Sequence, residues 1–425
     1  MKTLIKNGRL IDPANKIDGK LDILIENGNV LEVSTNINNA DNIIDATNLW
    51  VTPGLIDMHV HLRDPGGLHK ETIKTGAKSA AAGGFTTICC MPNTNPVVDN
   101  AKTVEYITSK AAQESIVNII PIGSITRGLM GEELSDIKAM KNVGIKAISD
   151  DGKTVDNPAL FRKAMEIATS LNLPVLSHCE DLRLVGKGLI HEGNHAKKLN
   201  LKGIPAEAEE IIIARDITLA RLTGAKLHIC HVSTAEGVAL IKKAQANGQP
   251  ITAEVCPHHF TLIDEDMTTA DANYKMSPPL RCHAHRKALL DGLKDGTISV
   301  IATDHAPHHE DEKNANFNTA PNGIIGLETA LPLCIELIEQ NILTPPKLIA
   351  TLTINPAQIM GINKGHLSPN STADITIIDP KASYNINKNT FHSLSRNTPF
   401  NGRKVTGRVM YTIVAGEIIY KGENI

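Results

Sequence analysis

Eight short apolar runs, each separated from the next by a stretch with helical spacing, constrain this chain more than any other feature. They begin at Leu55–Arg63 and continue at Thr86–Cys90, Val117–Ile122, Ile145–Ile148, Pro174–His178, Lys226–His231, Ile251–Val255 and Ser299–Asp304. Helical patterns fit between them, at Lys70–Ala82, Glu132–Lys141 and Ala206–Leu222. Strand and helix in strict alternation are the mark of βαβ units and a parallel sheet, and eight such units predict a (β/α)8 TIM-like barrel. Outside this region the style changes to short strands joined by Asn-Gly and similar turns, near Leu4–Lys6, Leu21–Ile25 and Val30–Val33, and again at Ala373–Ile378, Gly407–Val414 and Gly416–Tyr420. Both ends together predict one small β-sandwich. The expected division is 1–52 and 366–425 for the sandwich and 53–365 for the barrel.

A chain of 425 residues with 41% hydrophobic and 21% charged residues has ample material for a large core. A net charge of −3, 3% aromatic residues and a single tryptophan, Trp50, exclude a nucleic-acid surface as the expected partner. The first residues reach a turn at Asn7-Gly8 before any signal-like apolar core, and no run is long enough to span a bilayer, so the cytoplasm is the expected location. Seven cysteines without Cys-x-x-Cys spacing read as small buried hydrophobes.

Seventeen histidines require an account. His59 and His61 close the first run, where alternation also places Asp57 on their side, and Asp150 and Asp151 follow the fourth. His178 closes the fifth run, His231 the sixth and Asp304 the eighth. All lie at C-terminal strand ends, the catalytic face of a barrel. Four imidazoles and two carboxylates at one mouth suit two divalent ions sharing one carboxylate, and a nitrogen and oxygen donor set favours zinc. Spacing alone does not separate Asp150 from Asp151 as the shared ligand, and Lys146, inside the fourth run, is a further contender as a carbamylated bridge. A hydroxide held between two such ions attacks a carbonyl at neutral pH, with Asp304 as the proton acceptor, so hydrolysis of an amide-like bond is the expected reaction class. Arg63 points a cation at the mouth and Asn93 adds a neutral donor; together they can fork onto a substrate carboxylate. His228 is expected to turn into the barrel wall, His258 and His259 to stand behind the ligands, and His191, His195, His283 and His285 to lie in solvated loops. The polar run His308–Asn316 is expected to be a solvated loop placed to lie over the site.

The stretches Pro53–Pro65 (PGLIDMHVHLRDP), Met91–Val97 (MPNTNPV), Ser149–Gly152 (SDDG), Ser177-His178, Gly203–Ala206, His231–Ser233, Pro257–His259, Pro278–Arg281 and Ala302–His308 (ATDHAPH) closely resemble bacterial dihydroorotases of the amidohydrolase superfamily. The resemblance implies a cyclic amidohydrolase that interconverts dihydroorotate and N-carbamoyl-L-aspartate in pyrimidine synthesis. It implies His59, His61, Asp151, His178, His231 and Asp304 as ligands of two zinc ions per subunit, with Asp151 the metal-binding member of its pair. It makes Arg63, Asn93 and His308 substrate contacts, with Ser277, Asn322 and Gly323 among the substrate-facing positions. Ser277 stands where the family often has Asn, and Asn322 where an apolar residue often precedes the glycine. A homodimer and association with aspartate carbamoyltransferase are the partners the resemblance implies. Hydantoinases and allantoinases are the nearest rivals, and they would favour a lysine bridge and need no carboxylate-binding arginine. Silent dihydroorotase-like scaffolds usually lack ligands, and this chain keeps all six.

Overall fold

The computed structural model describes residues 2–38 and 40–422. Eight parallel strands run through the middle of the chain, at Leu55–Val60, Phe85–Cys90, Asn118–Pro121, Ile148–Ser149, Val175–Ser177, Leu227–Ile229, Ile251–Val255 and Val300–Ile301. The first three form one sheet in the order third, second, first, and the other five form a second sheet in sequence order. Parallel bridges join the sheets at both edges: Gly123 pairs with Ile148, and Val60 pairs with His305. Apolar side chains in or next to the strands meet in a single cluster containing Met58, Cys89, Ala147, Leu176, Cys230 and Val300. A second, larger cluster packs the strands against the helices through residues such as Val60, Phe85, Ile107, Phe161, Ile213 and Leu331.

Several of the intervening helices start where the sequence supplies a cap, whereas Glu207–Thr223 and His283–Asp295 start without one. Thr72 caps Ile73–Ala82, Asn157 with Pro158 starts Pro158–Ser170, and Thr234 caps Ala235–Ala246. Ala77, Ala80 and Ala81 line the buried side of the first of these helices, and such small residues let it lie close to the sheet. Among the described residues no helix is long and apolar enough to cross a membrane.

Two further sheets come from the ends of the chain. A six-stranded sheet interleaves the two termini: Trp50–Pro53 pairs antiparallel with Ile375–Asn385 on one side and parallel with Arg9–Asp12 on the other. A four-stranded sheet is wholly N-terminal and holds Lys2–Lys6, Asp22–Glu26, Asn29–Ser34 and Asn42–Asp45. Ile5, Ile23, Ile44, Val51, Ile375 and Ile413 form the common apolar cluster between them.

Three details differ from the pattern read in the sequence. The helix expected at Glu132–Lys141 is only Ile137–Asn142, because Asp136 caps it by accepting the Ala139 amide. The fourth parallel strand is only Ile148–Ser149, shifted toward the C-terminus of the Ile145–Ile148 run. In the first strand the pairing slips between Asp57 and Val60, so Met58 joins the inner cluster while Val60 joins the outer one. Asp57 does not accompany the histidines to the mouth. Its buried carboxylate accepts from the His59 and Thr303 amides and so ties the first strand to the eighth; burial pushes it up to about 7.

Candidate active site

The ends of the parallel strands bring the six expected groups together. His59 Nδ1 donates to Glu254 Oε1 at 2.6 Å, which fixes the ring and turns Nε2 inward. That nitrogen lies 3.3 Å from Asp151 Oδ1 and 3.6 Å from Asp304 Oδ1. His61 Nδ1 donates to Asn93 Oδ1 at 2.8 Å, and its Nε2 lies 2.9 Å from Asp304 Oδ1 and 3.4 Å from Asp151 Oδ2. On the other side His178 Nδ1 and His231 Nε2, 3.0 Å apart, each stand 3.6 Å from Asp151 Oδ1. Two groups of three donors result, His59–His61–Asp151 and Asp151–His178–His231, and Asp151 belongs to both.

These residues fit a cation. Four donors held tetrahedrally at about 2.1 Å from one ion stand roughly 3.4 Å apart, and the distances here cluster around that value. His59 Nε2 and Asp151 Oδ1 are buried without any hydrogen-bond partner, the expected state of ligand atoms and a costly one otherwise. Burial alone would raise Asp151, but His59, His178 and His231 outweigh it and hold the carboxyl well below the usual range. Burial lowers His178, yet Asp151 and Glu180 bring it up to about 10, so without a cation this imidazole keeps its proton.

The neighbours that sequence patterning left open are now placed. Asp150 turns away and accepts from the Ile125 and Thr126 amides and the Thr126 hydroxyl, which leaves Asp151 as the carboxylate among the histidines. Lys146 is half-buried, and the neighbouring Lys141 is lowered by its own burial and then by the Lys146 cation. His228 is not merely part of the wall: its Nε2 donates to Glu254 Oε2 at 3.1 Å, so one carboxylate holds His228 and His59 together. His191 is buried beside Arg281 rather than solvated, and His195 Nε2 donates to Met267 O; His283 is exposed but, with His285, lies in the helix His283–Asp295 rather than in a loop, and His285 Nδ1 accepts from the Ala235 amide. His258 and His259 are buried next to Cys256, and burial holds the thiols of Cys89, Cys179 and Cys256 protonated.

A cavity of about 730 Å³ opens over the cluster and is lined by all the expected substrate-facing residues. Arg63 reaches it from a left-handed backbone position, φ 57°, rather than by strand alternation. Its Nε donates to Pro307 O, and its outer nitrogen is 3.3 Å from His308 Nε2. His308 is buried, contrary to a solvated loop; its Nε2 donates to Asn322 O at 2.8 Å. Burial, with Arg63 and Lys70 nearby, pushes this imidazole down to about 2, so it is neutral. Ser277 Oγ donates to Glu180, whose other contact is His178 Nε2. Gly323, at φ 115°, has no room for a side chain: a Cβ would meet Ala306 Cβ at 2.6 Å.

Several contributors gave little sign in the sequence. Glu254 was legible as the one charge inside the apolar run Ile251–Val255. Arg281 donates to Ser233 Oγ and pairs with Glu209, which in turn accepts the Ser233 and Thr234 amides, so three distant motifs lock the chain just after His231. Asn397, from the C-terminal part of the chain, accepts from the His308 amide and donates to Ala306 O and Gly323 O.

A family model described as dihydro-orotase-like matches residues 49–237. The dihydroorotase of Geobacter metallireducens is 50% identical over 423 residues, 99% of this chain and 100% of that protein. The dihydroorotase of Ruminiclostridium cellulolyticum is 49% identical over 98% of both chains. The chain belongs to the dihydroorotase family. Among solved structures, this member of the dihydroorotase family is similar to the L-hydantoinase (dihydropyrimidinase) of Arthrobacter aurescens, with a TM-score of 0.90 and 26% identity over 100% of this chain and 97% of that one. The D-hydantoinase (dihydropyrimidinase) of a Thermus species gives 0.84 at 26% identity, covering 100% and 96%. The dihydroorotase family thus shares its mixed α/β architecture with cyclic amidohydrolases of other substrates.

Proposed function

We propose that this chain is a dihydroorotase, hydrolysing the ring amide of (S)-dihydroorotate to N-carbamoyl-L-aspartate and closing it again in reverse, a step of pyrimidine synthesis. The observation that carries the reading is the cavity in which Asp151 sits between two histidine pairs while Arg63 and Asn93 stand at the wall. We assign His59, His61, Asp151, His178, His231 and Asp304 as ligands of two zinc ions, with Asp151 shared. Zinc held by these residues would lower the pKa of a bound water and polarise the scissile carbonyl.

The chain's own residues supply the rest. Glu254 and Asn93 fix the tautomers of His59 and His61, so that both Nε2 atoms face inward. Asp304, 2.9 Å from His61, accepts the proton of the attacking water and passes it to the ring nitrogen as the carbon–nitrogen bond breaks. Arg63 and Asn93 take the substrate carboxylate, and His308, neutral and oriented by Asn322 O, shapes the pocket beside them. Ser277, Asn322 and Gly323 complete the wall.

The eight joined strands are read as a closed (β/α)8 barrel spanning 53–365, and segments 1–52 and 366–425 as one sandwich. A cytoplasmic homodimer, with or without aspartate carbamoyltransferase, is consistent with this role. An assay of the metal-loaded enzyme on dihydroorotate, hydantoin and allantoin tests the reading. Turnover of dihydroorotate is expected to exceed the others by at least about a hundredfold; preference for hydantoin would replace the proposal with the activity of its structural neighbours.

A further inference from the structure

Two lysines near the loop after the eighth strand are buried without a counter-ion. Lys275 and Lys313 are each 5% exposed, and among the described residues neither forms an ion pair. Their partners are backbone carbonyls. Lys275 Nζ donates to Phe317 O at 2.7 Å, Ala320 O at 2.6 Å and Asn318 O at 3.4 Å, and lies 5.4 Å from the centre of the Phe317 ring. Lys313 Nζ donates to Gly323 O at 2.9 Å, Pro321 O at 3.0 Å and Lys275 O at 3.4 Å. The two ammonium groups thereby gather residues 317–323, the stretch that supplies Asn318, Ala320, Pro321, Asn322 and Gly323 to the cavity wall. Lys275 also lines the cavity itself.

Carbonyl dipoles satisfy an ammonium's hydrogen bonds but leave its charge uncancelled, and burying such a charge is costly. Burial pushes Lys313 down to about 7, with Lys275 adding repulsion and Asp271 opposing it, so its charge is partial at neutral pH and complete only below it, where the clamp acts most strongly. If pinning the loop were the whole purpose, neutral donors would do it without that cost. A cation behind a poorly solvated wall acts on whatever occupies the cavity, and its effect scales with the ligand's charge. On the dihydroorotase reading the two ligands differ in that respect, since dihydroorotate carries one carboxylate and N-carbamoyl-aspartate two.

We infer that Lys275 and Lys313 form a cationic clamp that both positions the 317–323 wall and biases the cavity toward the more anionic ligand, the open dicarboxylate. Lys313 is a positioning residue, acting through the wall and its field. The inference rests on the proposed substrates, and the test separates the two. Steady-state constants for both directions are measured on the metal-loaded wild type and on Lys313→Met, together with direct binding of each ligand by calorimetry. The expected result is a KM rise of about tenfold for N-carbamoyl-aspartate and about threefold for dihydroorotate, with kcat changed less than about twofold. Hydrogen exchange at 317–323 should quicken. Lys313→Arg, which keeps the charge, should leave the ratio of the two KM values near wild type even if both shift. Equal rises for the two ligands in Lys313→Met, or none, would overturn the clamp, whereas a wild type inactive on both ligands would overturn the substrate reading instead. Should Lys313→Met fail to fold, Lys275→Met carries the same comparison.

Discussion

Arg63 holds a left-handed backbone, which lifts the guanidinium out of the strand and into the cavity, braced by Pro307 O. Non-glycine residues rarely hold such a conformation unless the surroundings impose it, and these outliers gather at functional sites; His231, φ 31°, and Asp304, φ 49°, are two more in the same cluster. Burial lowers the pKa of Arg63, with Asp304 and Asp151 opposing, but an arginine remains charged at any working pH. Arg63→Met keeps the apolar stem and removes the partner of the substrate carboxylate, a loss of roughly 2 to 5 kcal/mol for a desolvated pair. The efficiency on dihydroorotate should therefore fall at least about thirtyfold, since each 1.4 kcal/mol is tenfold. Slow turnover of dihydrouracil, which lacks that carboxylate, should change far less; equal losses on both substrates would place Arg63 in support of the ligands instead. The proposed ligand residues were legible because each stands at or just after the end of an apolar run. The carboxylate pair was not, because Asp150 and Asp151 are separated by a loop amide contact at Ile125 and Thr126 that no local pattern announces. Lys275 and Lys313 were illegible for a related reason: their partners are carbonyls, which every residue carries.

Among the elements, strand positions followed the apolar runs closely, because a strand buried on both faces reads as a continuous hydrophobic stretch. The fourth strand is the exception. Gly144 at φ 120° and the half-buried Lys146 delay regular pairing until Ile148, which brings Asp150 and Asp151 directly after the strand. Least visible was the reach of the C-terminal segment between Ile375–Asn385 and Lys404–Val414, which reads as a connection between sheet strands yet places Asn397 under His308. Asn397 is buried and joins three backbone groups of the loop after the eighth strand. Asn397→Ala leaves the Ala306 carbonyl and the His308 amide without that partner, at about 1–3 kcal/mol for each buried group left unsatisfied, while Gly323 O keeps Lys313 Nζ. The urea midpoint should fall and KM for dihydroorotate should rise several-fold, because His308 and Gly323 lose a common anchor. An unchanged midpoint and KM would show that water or local shifts replace the amide fully.

At the scale of the molecule, the site collects four imidazoles and the carboxylates of Asp151, Asp304, Glu180 and Glu254 where the joined strands end, with little exposure for any of them. Burial raises Glu254, but His59 and His228 outweigh it and hold it at about 2, so its charge is present at every pH at which the enzyme works. Such a collection either binds cations or fills with protons, and the two compete for the same ring nitrogens. Metal binding should release protons, and metal should be lost more readily as pH falls, because His178 otherwise holds its proton up to about 10. Ligands that bind only the folded chain stabilise it by about 4 kcal/mol each at a thousandfold excess over Kd. Removing bound metal with a chelator at neutral pH should therefore lower the apparent Tm by several degrees, and the shift should reverse on adding zinc. Elemental analysis of the reloaded protein should approach two equivalents per chain. Asp151→Ala should retain at most about one, because the carboxylate common to both donor groups is gone. A wild type that saturates at one equivalent with full turnover would sink the paired site, and a Tm indifferent to chelation once the protein is metal-free would mean that the cluster is held by its protons alone.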